Sequence, residues 1–188
     1  MLKIISKLAL RLLGWKPDGK LPELDKYVLI GAPHTSNWDS VYAFLGVGAL
    51  GLRFKWIAKQ SAFPGPLSPI LKFFGGIPID RSVRSSIIKR MIDLFNSREK
   101  FVLGIMPEGT RSKTEFWKTG FYYIATGANL PIAFAFMDYG KKRVGISDII
   151  LHPTGNIESD MKVIRNFYKD MKGKHPEKQG KIEVKPVE

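Results

Sequence analysis

A chain of 188 residues, 44% hydrophobic and 25% charged, is long enough for one continuous core and too apolar to be disordered. It has no cysteine, which excludes a disulfide framework, a thiolate nucleophile and a cysteine-ligated metal, and fits a reducing cytoplasm. A formal charge of +13 implies an anionic partner, nucleic acid or an anionic membrane surface, where each Lys or Arg contributes on the order of 1 kcal/mol.

Residues 2–15 predict an amphipathic helix. Lys3, Lys7 and Arg11 recur every fourth position as one basic stripe, while Leu2, Ile4, Ile5, Leu8, Leu12 and Leu13 cover the rest and Trp15 stands at the end. That pattern suits a helix lying in a membrane interface and equally one packed on the domain's own core. Lys7 and Arg11 interrupt its apolar stretch and no small-residue cleavage site follows, so it does not read as a secretory signal.

Residues 26–32 predict a strand ending at Pro33, residues 39–50 an apolar helix, and residues 54–59 a second strand. The Pro- and Gly-rich stretch 63–69 predicts a loop leading into a short helix through Phe74, and 77–79 a short strand. Residues 85–97 predict a helix with Ile88, Met91, Ile92 and Phe95 inward, and 101–106 a buried strand. Then come a helix at 121–127, a strand at 131–137 and a basic turn at 140–143. A helix over 156–172 carries Ile157, Met161, Ile164, Tyr168 and Met171 on one core-packing stripe, and 174–188 reads as a loose polar tail.

Strands alternating with helices argue for an α/β fold with a central, mostly parallel sheet flanked by helices. The expected organisation is an N-terminal amphipathic segment (1–15), one domain (16–173) and a C-terminal tail (174–188), with no internal repeat or linker. No stretch reaches the ~20 apolar residues that a membrane span needs. The best, residues 41–52, contains three glycines.

Chemistry concentrates in three blocks. In His34-Thr35-Ser36-Asn37-Trp38-Asp39, the histidine follows a strand and the aspartate opens a helix. At that separation they do not share a helix face. A loop carrying His34 back over the helix start would let Asp39 accept from one ring nitrogen and leave the other free to take a proton. The alternative is an exposed loop histidine beside an ordinary helix-opening aspartate. In Pro107-Glu108-Gly109-Thr110-Arg111-Ser112, the run follows a buried strand, where α/β folds bind ligands. Gly109 permits a positive φ, and Arg111 offers a planar fork for an anion. Between them lies Gly75-Gly76-Ile77-Pro78-Ile79-Asp80-Arg81, which has no dinucleotide or Walker pattern. No clustered ligands suggest a metal. His152 and His175 each precede proline and read as structural or exposed. Trp38, Trp56, Phe73, Phe74, Trp117 and Phe121 lie near the blocks and would either line a substrate groove or, as a set, belong to the core.

In this order, over residues 27–139, the blocks resemble the glycerolipid acyltransferase family, whose members place an acyl chain on lysophosphatidic acid and related lysolipids. His34 and Asp39 match the family's HxxxxD block. Residues 76–81 match its Gly-x-Ile-x-hydrophobic-Asp/Arg-Arg block, and residues 107–112 its Phe-Pro-Glu-Gly-Thr-Arg-Ser block, with Met106 in place of phenylalanine. Lys118-Thr119-Gly120 looks like the Lys-x-Gly that often follows. Residues 130–136 correspond to the fourth block but keep only Pro131 of its two usual prolines, a departure that bears on the acyl acceptor.

The resemblance implies acyl transfer from a thioester, acyl-CoA or acyl carrier protein, to the hydroxyl of a lysophospholipid, 1-acylglycerol-3-phosphate first among them. It implies no cofactor and no metal. His34 would be the base and Asp39 its orienting group. Arg111 would hold the anionic head, with Arg81 and Lys118 as second-rank contacts. Glu108, Gly109 and Thr110 complete the acceptor-binding loop, where backbone donors would help stabilise an oxyanion. Such an enzyme would be peripheral, on the cytoplasmic face of the cell membrane, with an anionic lipid surface as partner. The basic residues are spread along the chain and form no recognised nucleic-acid motif, so no nucleic-acid partner is expected. The same chemistry on another acceptor, such as a lyso-aminolipid, and a non-catalytic basic membrane module are the alternatives.

Overall fold

The computed structural model describes residues 1–63, 65–80 and 84–185. Arg81 therefore lies outside the described residues.

Seven strands form one sheet: β1 (Lys16–Gly19), β2 (Lys26–Ala32), β3 (Lys55–Lys59), β4 (Gly76–Ile79), β5 (Phe101–Ile105), β6 (Ile132–Asp138) and β7 (Arg143–Leu151). Their order is β1-β7-β6-β2-β5-β3-β4. The α-helices among the described residues are α1 (Leu2–Leu12), α2 (Asn37–Leu50), α3 (Ser68–Phe73), α4 (Arg84–Asn96), α5 (Gly120–Gly127) and α6 (Ile157–Tyr168). Every strand pair is parallel except β6 with β7. The fold is thus α/β, with a mostly parallel sheet covered on both faces.

The central strand β2 shows why its sequence is an unbroken apolar run. Val28, Ile30 and Ala32 face a large core shared with Phe95, Phe121, Phe134 and Tyr168 from one side of the sheet. Tyr27 and Leu29 face a second core with Val47 of α2 on the other side. A parallel strand buried on both faces has no polar alternation to display.

The glycines of α2 explain its packing. A Cβ at Gly46 would stand 2.6 Å from Val144 of β7, and one at Gly48 would stand 2.7 Å from Ser6 Oγ of α1. The helix is therefore pressed between sheet and α1 without side chains at those two contacts. Gly51, at φ 92°, then ends it in the left-handed conformation.

The first helix packs on the domain with one side and leaves an apolar arc exposed on the other. Ser6 and Leu10 are buried against the domain, while Leu2, Ile4, Ile5, Leu8 and Leu12 remain exposed. It is shorter than the sequence suggests, because Gly14 turns the chain at φ 73° and Trp15 folds back into the core.

Two strands were not foreseen. β1 is a four-residue edge strand, Lys-Pro-Asp-Gly, with no apolar alternation to announce it. The basic turn expected at 140–143 is present, but it opens a hairpin into β7 and is not followed by a loop. Buried Asp138 stabilises that turn by accepting from the Gly140 and Lys141 N–H groups at 2.9 and 3.3 Å. Gly145, Ser147 and Asp148 break the apolar pattern of β7.

The C-terminal segment expected to be loose is docked. Trp117 N–H donates to the Glu183 carbonyl at 2.7 Å, and Arg165 Nε to the Ile182 carbonyl at 3.1 Å. Gln179 clamps the chain on itself, accepting from Gly173 N–H at 2.8 Å and donating to the Met171 carbonyl at 3.0 Å. These contacts are to backbone groups, so side-chain polarity did not reveal them.

Candidate active site

Adjacent parallel strands β6, β2 and β5 end at the same edge of the sheet. Each delivers a polar residue just beyond its C-terminal end: Tyr139 after β6, His34 after β2 and Glu108 after β5. This is where a parallel α/β sheet places ligands.

α2 begins immediately after His34, and its cap builds the site. Ser36 is the N-cap, and its side chain accepts from Trp38 N–H. Asp39, at the third helical position, reaches back so that Oδ2 accepts from the Thr35 and Ser36 N–H groups at 2.5 and 2.7 Å. Oδ1 accepts from the Tyr139 hydroxyl at 2.7 Å. Asp39 is fully buried and lies 3.4 Å from His34 Nδ1 through the same Oδ2. The loop does carry the imidazole back to the helix start, while Asp39 also acts as the helix-opening residue. The His34–Asp39 approach is longer than an ordinary hydrogen bond. Burial raises the proton affinity of Asp39, but contacts from His34, Tyr139, Ser36 and Thr35 outweigh it and hold the carboxyl below its ordinary range.

Glu108 is also buried, and its Oε1 accepts from the His34 N–H at 2.7 Å. Its other oxygen makes no hydrogen bond among the described residues. Burial, offset by the His34 N–H and reinforced by the charge of Asp39, pushes the carboxyl up to about 7. Beside it opens a cavity of about 480 Å³ lined by Ala32, Pro33, Glu108, Trp117, Lys169 and Ile182.

The Glu108 loop turns at Gly109, whose φ of 67° is the positive value glycine permits. Gly109 N–H donates to the Met106 carbonyl at 3.0 Å, so it closes the turn. Thr110 is exposed and caps Ser112 N–H at 3.2 Å. Arg111 is exposed and donates through Nη1 to Asn37 Oδ1, which brings the guanidinium to the first residue of α2. Lys118 is exposed and borders the same turn. Its N–H donates to the Pro107 carbonyl at 2.7 Å, and its Cγ would lie 3.2 Å from a Cβ at Gly109.

Three contributors escaped the sequence reading. Asn37 lies inside the first block and anchors Arg111. Tyr139 stands two residues beyond the strand predicted at 131–137 and directly after β6, the position where such folds place functional side chains. The C-terminal segment touches the site itself, with His175 N–H donating to buried Thr35 Oγ1 at 3.2 Å and Lys174 Nζ lying 5.3 Å over the Trp38 ring. The aromatic set divides: Trp117 and Phe121 are core, whereas Trp38, Phe73 and Phe74 are on the surface. His152 is exposed, as read.

Residues 18–136 match the family model described as acyltransferase. The structure is similar to the crystal structure of the 1-acyl-sn-glycerophosphate (LPA) acyltransferase PlsC from Thermotoga maritima, with a TM-score of 0.61 at 16% identity, covering 90% of this chain and 77% of that one. No curated protein sequence matches the chain.

Proposed function

The chain belongs to the acyltransferase family, and from that premise we propose that it moves a fatty acyl group from a thioester to the hydroxyl of a lysophospholipid, with 1-acylglycerol-3-phosphate as the first candidate acceptor. The observation that carries this reading is the start of α2. One short segment sets a histidine against a buried, ionised aspartate and, through Asn37, holds an arginine at the same helix start.

In the proposed reaction His34 Nε2 takes the proton of the acceptor hydroxyl as the oxygen attacks the thioester carbonyl. The tetrahedral intermediate collapses, the C–S bond breaks, and the imidazolium returns the proton to the departing thiolate. Asp39 holds the ring through Nδ1 and stabilises its positive charge while the proton is on it. Arg111 faces the acceptor's phosphate with a fork that can bind two oxygens at once. Lys118, and Arg81 if its block follows the family, would add charge. Acyl-CoA and acyl carrier protein both supply the required thioester, and the chemistry calls on no metal or cofactor. The similarity to the structure of an LPA acyltransferase supports the choice of acceptor.

The substrates of this reaction reside in a bilayer. No helix among the described residues is long and apolar enough to cross one. The exposed arc of α1, flanked by Lys3, Lys7 and Arg11, is the proposed interfacial anchor. Leu67, Ile70, Phe73 and Phe74, around α3, form a second exposed apolar group, with Phe73 85% exposed. This reading places the protein peripherally on the cytoplasmic face of an anionic membrane.

The test is to incubate purified protein with a lysolipid panel and both donor types, and to identify products by mass spectrometry. Phosphatidic acid from lysophosphatidic acid is the expected product. A product only from a lyso-aminolipid would move the acceptor assignment. Salt-dependent vesicle binding without any turnover would replace the enzyme by a basic membrane module.

A further inference from the structure

Asp39 has its two oxygens serviced by different parts of the chain. Oδ2 is held locally by the helix cap and faces His34. Oδ1 depends on a hydroxyl 100 residues away, that of Tyr139. Because Asp39 is fully buried, loss of that donor would leave a charged oxygen with neither protein partner nor water.

The ring of Tyr139 is itself caged. Trp15 meets it edge-on at 4.8 Å and 90°, and Tyr42 of α2 meets it at 5.7 Å and 87°. Trp15 in turn stacks on Tyr42 at 4.1 Å and 24°. Trp15 is buried and tied to the end of α1, where its N–H donates to the Leu10 carbonyl at 2.8 Å. The backbone of Tyr139 is fixed from the other side, its N–H donating to the Lys172 carbonyl at 2.8 Å. A continuous packed path therefore runs from the helix with the exposed apolar arc, through Trp15 and Tyr139, to the carboxylate opposite His34.

We infer that Tyr139 is a positioning residue for the His34–Asp39 pair and that Trp15 couples its placement to the seating of α1. The inference rests on the proposed role of that pair and deepens it: an enzyme whose anchor loosens loses the geometry of its base. The groups facing Asp39 are the His34 imidazole, the Tyr139 hydroxyl and, through space, the Glu108 carboxyl. Tyr42 faces Tyr139 from α2. Of the hydrogen bonds that keep Asp39 ionised, Tyr139→Phe removes one and leaves the ring cage intact.

The experiment uses a short-chain, water-soluble lysophosphatidate with acyl-CoA, so that vesicle binding does not enter the rate. Tyr139→Phe should lower kcat about tenfold, the scale of one hydrogen bond to a charged group, and leave KM within about twofold. Asp39, followed by carbon NMR of labelled aspartate carboxyls, should titrate at higher pH than in the parent protein. Trp15→Leu should act in the same direction, and the double variant should be no slower than Tyr139→Phe alone. An unchanged Asp39 titration in Tyr139→Phe overturns the inference, whatever happens to kcat, because a merely structural role would slow the enzyme without moving it. Additive losses in the double variant overturn the coupling through Trp15. His34→Ala is the control that separates the two readings. If it retains activity, the proposed function fails. If it is inactive while Tyr139→Phe behaves like the parent, only the inference fails.

Discussion

Replacing Glu108 by glutamine should flatten the protein's stability between about pH 5 and 8, judged from where burial puts the carboxyl. Glu108 is 3% exposed, and its proton affinity rises from an ordinary 4.5 to about 7, with desolvation the leading cause. At ~1.4 kcal/mol per pH unit this difference is worth on the order of 3 kcal/mol. The folded protein binds the proton more tightly than the unfolded chain within this window. Its contribution is therefore most favourable below pH 4.5, declines as pH rises, and levels off above about 7. Glutamine keeps an oxygen to accept from the His34 N–H and never ionises. Its amide would take the place of the oxygen that lacks a partner, beside a cavity wide enough for water. Urea denaturation of both proteins across this range would give the difference, in which histidine titrations common to both cancel. The variant should gain on the parent steadily as pH rises, by up to about 3 kcal/mol at pH 8. Asp39 does not interfere, because its carboxyl is lowered and its contribution is lost only as pH falls below the ordinary value of 3.8. A difference independent of pH would show that Glu108 is ionised without penalty and that water reaches it freely.

His34→Ala should cost ~10²–10⁴-fold in kcat with the melting temperature nearly unchanged, and near-parent activity would remove it as the base. Asp39→Asn should also slow turnover strongly by favouring the wrong tautomer, and should lower stability by about 1 kcal/mol through the cap. Full activity there would mean His34 acts alone. Arg111→Lys should lower kcat/KM more for a phosphate-bearing acceptor than for one lacking phosphate, whereas equal losses would reduce Arg111 to an anchor for Asn37. Changing Lys3, Lys7 and Arg11 together to Gln should weaken co-sedimentation with anionic vesicles by about 1 kcal/mol per charge and make the remainder less sensitive to salt, with unchanged circular dichroism. Unaltered sedimentation would move the anchor elsewhere, with exposed Phe73 the next residue to change.

Elements buried on both sides could be read from sequence because burial leaves a pattern. β2, β5 and β6 are near-continuous apolar runs, and α6 shows a clear apolar stripe. Elements held by backbone pairing alone left none. β1 contains Pro17 at a sheet edge and faces solvent with most of its residues, so neither propensity nor alternation marks it. It approaches β7 so closely that a Cβ at Gly19 or Gly145 would stand 1.6 or 1.7 Å from a carbonyl oxygen of the other strand. Those glycines look like turn residues until the partner strand is in place. The docked C-terminal segment hides for the same reason: its contacts run through main-chain groups, the Trp117 N–H, the Met171 carbonyl and its own Ile182 carbonyl, which accepts from Arg165.

The site divides along the same line. His34 and Asp39 were readable as a pair because their encounter is local, a loop folding back on the first turn of its own helix. Arg111 was readable only as a motif residue, since its contact with Asn37 joins segments 74 residues apart. Tyr139 carried no motif, yet a physical argument points toward it. A buried carboxylate needs donors for both oxygens, and the two N–H groups of the cap reach only one of them. A further donor had to come from a neighbouring strand end, and in this topology β6 lies beside β2. The position of the charge opposite His34 is thus set by where α2 starts, and that start is set in turn by how closely Gly46 and Gly48 let the helix sit between β7 and α1. The proposed chemistry belongs to a six-residue motif, while its geometry is distributed over the first helix, the end of β6 and the segment that follows α6.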